Sequence, residues 1–122
     1  MNKHEDRAKD YLLHMLDALD KILKYTAGLR GDDFLANELV QDAVVRNIGI
    51  VGEAAKQLLD VAPEFSRKHP EIPFAEVYGM RNRVIHGYSS VNPSVVWDSV
   101  RVDVPELRNQ IAQVLKELDP EP

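Results

Sequence analysis

Tyr11-Leu12-Leu13-His14-Met15-Leu16-Asp17-Ala18-Leu19-Asp20-Lys21-Ile22-Leu23 is the stretch that decides the fold class. Tyr11, Leu12, Met15, Leu16, Leu19, Ile22 and Leu23 recur in three- and four-residue steps, and Leu29 prolongs the stripe. That spacing is one face of a long helix from about Glu5 to Leu29. A half-buried strand would instead alternate apolar and polar residues. The chain shows no sustained alternation and no Asn-Gly or Asp-Gly hairpin signal.

Beyond this helix, Gly28, Arg30 and Gly31 close it, and Asp32 or Asp33 can cap the next one. A second stripe, Leu35, Leu39, Val40, Ala43, Val44, Ile48, Val51, Ala54, Ala55, Leu58 and Leu59, predicts a second long helix from about Phe34 to Val61. Gly49 and Gly52 lie inside it; they lower helix propensity but let a neighbouring helix or another subunit come close. Ala62-Pro63 restarts a short helix, and residues 67–73 form a loop. Pro73 opens a third helix running to His86, with Gly87 as C-cap and Tyr88-Ser89-Ser90 as a turn. Asn92-Pro93, a cap followed by proline, opens a last helix to about Leu118. Its apolar face is Val95, Val96, Val100, Leu107, Ile111, Val114 and Leu115, and Pro105 should kink it. The expectation is an all-α protein: an antiparallel, four-helix-type, up-down bundle with a kinked C-terminal helix, one domain over residues 1–122.

Composition narrows the function. Lys and Arg number 15 against 20 acids, a net charge of −5, which disfavours a broad nucleic-acid-coating surface. The absence of cysteine excludes disulfides, thiolate metal sites and a cysteine nucleophile. No apolar run approaches a membrane span and the charged N-terminus lacks a secretory core, so a soluble, cytoplasmic protein is expected. There is no glycine-rich phosphate loop, no Gly-x-Ser-x-Gly and no histidine pair at metal spacing; neither metal nor cofactor is expected.

One cluster carries chemistry: Arg81-Asn82-Arg83-Val84-Ile85-His86-Gly87-Tyr88. The window from Arg67 to Tyr88 holds Arg67, Lys68, Arg81 and Arg83 plus His69 and His86, against only Glu71 and Glu76. An acidic protein thus concentrates positive charge where a local phosphate site would need it. On a helix Arg81 and Tyr88 share a face, whereas Arg81 and His86 diverge by about 140°. Either the helix loosens near Gly87, or a second copy across a twofold axis completes the site. A histidine of near-neutral pKa can take the proton of a ribose 2′-hydroxyl or protonate a leaving 5′-oxygen. An arginine can neutralise a phosphorane, Asn82 can donate to a phosphate oxygen, and Tyr88 can bind phosphate or stack a base. The competing reading is a capping histidine with solvated arginines, since cations suit a helix C-terminus. The chain carries its own control: Arg108-Asn109 repeats the dipeptide, but Gln113 stands where a histidine would complete the motif.

Arg81-x4-His86-x-Tyr88 resembles the Arg-x4-His-x-Tyr motif of HEPN-domain ribonucleases, and more narrowly that of the HepT toxins of MNT–HepT toxin–antitoxin modules. Asp42-Ala43-Val44-Val45-Arg46-Asn47-Ile48 with Gly52-Glu53-Ala54 is similar to the family's second-helix pattern. So are Pro70-Glu71-Ile72-Pro73-Phe74 leading into Met80-Arg81-Asn82, and His86-Gly87-Tyr88 leading to Val95-Val96-Trp97. Phe74 stands where the family more often has tryptophan. The resemblance implies a HEPN-like helical domain, a homodimer pairing two motifs, and a metal-independent endoribonuclease acting on RNA through Arg81 and His86. It also implies a minimal nucleotidyltransferase antitoxin that transfers AMP to Tyr88. An alternative is a non-catalytic HEPN-like partner that holds a substrate for such a nucleotidyltransferase. Arg46 and Glu53, two turns apart on one helical face, are supporting candidates; Glu53 can orient Arg81, or both can be plain surface. Trp97 is expected in the core or an interface.

Overall fold

The computed structural model describes residues 3–85 and 92–119. The cap and turn expected at His86 to Ser90, and the tail at Pro120 and Pro122, lie outside the described residues. Seven helices are described, in chain order: α1 (Lys3–Thr26), α2 (Gly31–Leu35), α3 (Glu38–Val61), α4 (Pro63–Lys68), α5 (Phe74–Ile85), α6 (Pro93–Arg101) and α7 (Asp103–Leu118). No strand occurs among the described residues. The all-α, four-helix-type expectation holds, with α1, α3, α5 and α7 as the long members.

Helix α1 packs against both α3 and α7, and α5 packs on α3. Two ion pairs fix the α1–α7 register: Lys9 with Asp119 at 3.2 Å and Asp20 with Arg108 at 2.9 Å. Early α1 meets late α7, so the two run antiparallel. The stripe read from sequence is the core: Leu12, Met15, Leu19 and Ile22 of α1 interlock with Val44, Ile48, Val51 and Leu58 of α3 and Ile111 and Val114 of α7, all buried. Each such aliphatic side chain contributes about 1.5–3 kcal/mol of burial. Helix α1 ends at Thr26, short of Leu29, because the chain turns at Gly28 with φ 76°, a left-handed conformation that favours glycine.

Three expectations need correction. The segment from Phe34 to Val61 is two helices. Asn37 breaks it by capping α3, its Oδ1 accepting from Val40 N at 3.1 Å. Leu35 and Leu39, assigned to the buried stripe, flank that break and are 46% and 80% exposed. The C-terminal helix is broken rather than kinked, into α6 and α7 at Val102. Pro105 has no N–H for the Arg101 carbonyl and its ring crowds that carbonyl, so α6 stops there and proline falls in the first turn of α7. Val95, the third, is 52% exposed; Val96 turns inward instead. Asn92-Pro93 opens α6 as read, with Asn92 Oδ1 accepting from Ser94 N at 3.0 Å.

Trp97 packs inside. Its ring stacks on Phe34 with centroids 5.0 Å apart, joining α6 to α2. A Cβ at Gly31 would stand 3.2 Å from Trp97 Nε1, so a small residue suits that contact. No helix among the described residues is long and apolar enough to cross a membrane.

Candidate active site

Helix α5 presents the arginine. Val77 N donates to Pro73 O at 2.9 Å, so the proline closes the first turn without needing an N–H of its own. Phe74, Val77, Met80 and Val84 then recur at helical spacing and are buried, fixing the rotation of the helix. That rotation turns Arg81 toward α3. Gly52 lies opposite: a Cβ added there would stand 2.6 Å from Arg81 Cγ and 3.4 Å from Cδ, and closer still to Arg81 Cβ. The arginine stem therefore lies on bare α3 backbone. One turn along α3, Lys56 receives a small electrostatic contribution from Tyr78 of α5, the helix packed on α3.

The guanidinium is held at its far end. Arg81 Nη1 donates to Asn82 Oδ1 at 2.9 Å in a half-buried setting. The sequence suggests Asn82 as a donor to phosphate; its carbonyl is engaged with the arginine, and its amide N–H₂ is the part suited to donate. Glu53, next to Gly52, is exposed and accepts from Gln57 Nε2 at 3.3 Å. Arg46 is exposed on α3. His86 and Tyr88 lie outside the described residues. The basic window of the sequence is divided between two helices. Arg67 and Lys68 sit on α4, before α5 begins, and Phe74 to Arg81 alone is about 10 Å of helix axis. His69 lies against Phe65 with ring centroids 4.5 Å apart and the planes tilted by 35°, and its Nδ1 lies 3.5 Å from Glu71.

Nothing in the sequence singles out Lys56. It pairs with Asp60 at 2.8 Å, and that carboxylate, with smaller contributions from Tyr78 and Glu53, raises its pKa above the ordinary lysine value. No local motif announces it; only the α3–α5 register brings it near Tyr78. On its other flank α5 borders a cleft of about 260 Å³ floored by Leu19, Met80 and Leu107 and rimmed by Arg83, Asp103 and Glu106.

A family model described as ribonuclease HepT-like matches residues 15–114, a span that contains this whole seam. A Thermococcus cleftensis protein named "Probable ribonuclease HepT" is 37% identical over 108 residues, covering 88% of this chain and 96% of that one. A Caldanaerobacter subterraneus protein named "Putative RNase" is 33% identical over 108 residues, 88% of this chain and 94% of the relative. A Methanocaldococcus jannaschii protein named "Gamma-glutamylcyclotransferase and putative RNase" is 39% identical over 111 residues; these are 91% of this chain but 49% of that relative, so the chain spans about half its length. No solved structure matches the chain.

Proposed function

The chain belongs to the HepT-like ribonuclease family, and from that premise we propose that it is a metal-independent RNA endonuclease acting through Arg81, His86 and a neighbouring copy of the same motif. The observation that carries this reading is the anchoring of Arg81 between the Gly52 backbone and the Asn82 carboxamide, at the end of the helix that leads to His86. An arginine held at stem and head loses little freedom on meeting a phosphate, and the planar fork of a guanidinium matches phosphoryl oxygens. His86 takes the 2′-hydroxyl proton. The 2′-oxygen attacks phosphorus, the bond to the 5′-oxygen breaks, and the histidine of the other copy protonates that oxygen. Arg81 balances the extra charge of the pentacoordinate phosphorus. The products are a 2′,3′-cyclic phosphate and a 5′-hydroxyl.

We place this activity in a toxin–antitoxin module. A minimal nucleotidyltransferase partner transfers AMP from ATP to the Tyr88 oxygen, with pyrophosphate leaving. Each AMP brings a phosphate that competes for Arg81 and a base that fills the RNA path. Coexpression with the nucleotidyltransferase should add AMP-sized mass to the tryptic peptide containing Tyr88. Tyr88→Phe should escape the modification and stay toxic; neutralisation of Tyr88→Phe as efficient as wild type would remove the modification from the scheme. Light scattering should give a dimer, and a fully active monomer would overturn the paired-motif site.

A further inference from the structure

We propose that Gly52 is a positioning residue that sets where Arg81 stands. The inference rests on the reading of Arg81 as catalytic. Gly52 is buried in the middle of α3, where glycine costs about 1 kcal/mol of helix propensity against alanine. Its use lies across the seam. The atoms that an added Cβ would meet are Arg81 Cβ, Cγ at 2.6 Å and Cδ at 3.4 Å. These are the root of the side chain. A flexible tip can swing away from an intruding methyl group, but a Cβ moves only with its helix. A methyl group at position 52 must therefore displace α5 or twist it at Arg81.

Open space lies along one flank of α5. Its flank lined by Met80 and Arg83 borders the open cleft over Leu19 and Leu107, and α7 beyond it is a separate element. A small shift of α5 toward this cleft moves it into open space on that flank. The same shift carries Arg81 with it, since Asn82 holds the guanidinium from the next position on the same helix. Alanine at position 52 should thus disturb the arginine far more than the fold. A misplacement of about 1 Å at a catalytic group can cost roughly a hundredfold in rate.

The test is steady-state RNA cleavage by wild type, Gly52→Ala and Arg81→Ala, with far-ultraviolet circular dichroism and the Nε–H resonance of Arg81 as readouts independent of activity. Gly52→Ala should keep its helix signal, lose about a hundredfold in kcat, hold KM within about threefold, and shift or broaden the Arg81 resonance. Wild-type kcat with an unmoved resonance would overturn the proposal. If Gly52→Ala fails to fold, Gly52→Ala combined with Arg81→Gly should restore the helix signal, because the contact is then gone; a double variant that stays unfolded overturns it equally. Arg81→Ala separates the two levels. An active Arg81→Ala removes arginine from the reaction, whereas an inactive Arg81→Ala beside a fully active Gly52→Ala removes only the glycine.

Discussion

Arg81-Asn82 on α5 and Arg108-Asn109 on α7 are the same two letters in two environments. Arg81 is half-buried, its stem lies on the α3 backbone at Gly52, and its Nη1 donates to its own neighbour's carbonyl at 2.9 Å. Arg108 reaches across to α1, where its Nε donates to Asp20 Oδ1 at 2.9 Å, with 37% of its side chain exposed. Asn109 beside it is exposed. The partner at Asn82 is a neutral carbonyl, whereas the partner at Asp20 is a carboxylate. One arginine lays its stem on a neighbouring helix, where we propose that it meets a phosphate, and the other clamps two helices. Sequence context as short as a dipeptide does not separate these roles, but the residue facing it across the helix seam does.

Paired variants put this contrast at risk. The largest effect is expected at the site: Arg81→Ala should lower RNA cleavage about a thousandfold, the scale of losing a preorganised charge donor, while Arg108→Ala stays within about twofold. Comparable rates for the two variants would erase the distinction. Gly52→Ala comes next, at about a hundredfold. Phe34→Ala then probes the frame instead of the site. Removing a fully buried ring stacked on Trp97 should cost about 3–5 kcal/mol, read from urea midpoints, with the rate per folded molecule preserved. A lost rate at full stability would place that contact in the site. Arg108→Ala should cost at most about 1 kcal/mol, less at high salt, as suits a partly exposed ion pair. The smallest effect is at Lys56. Its pKa is raised in the folded chain by the Asp60 carboxylate, so the stability it lends is present below the ordinary 10.5 and is lost as pH rises through the folded value. Asp60→Asn should return the Lys56 side-chain nitrogen titration, measured by nuclear magnetic resonance, toward the ordinary value.

Much of the fold is legible in the sequence because its signals are local and periodic. Leu12, Met15, Leu19 and Ile22 name the buried face of α1 directly, and Asn92-Pro93 and Ala62-Pro63 name two helix starts. The break at Asn37 escapes, whereas at Val102 the proline announces an interruption but not whether the helix bends or stops. Apolar residues continue through Asn37, so the period masks the cap, and only exposure of Leu35 and Leu39 reveals that the stripe there is not a buried face. At the site, Arg81 and Asn82 are legible as chemistry. The hydrogen bond between them is not, because neighbouring side chains on a helix diverge by about 100° and meet only when one folds back. Gly52 is legible as a small residue and illegible as a seat, since its contact depends on the α3–α5 register. Lys56 and Tyr78 belong to that register too.

Arg81, unlike Arg108, is assigned here to RNA cleavage by a metal-independent route, and one assay addresses both halves of that assignment. Wild type, Arg81→Ala, His86→Ala and Arg108→Ala should be incubated with a defined RNA in EDTA, and the new 3′ ends identified. The expected result is 2′,3′-cyclic phosphate ends from wild type and Arg108→Ala, and none above background from Arg81→Ala or His86→Ala. Cleavage that requires magnesium, or that Arg81→Ala performs at the wild-type rate, would contradict it.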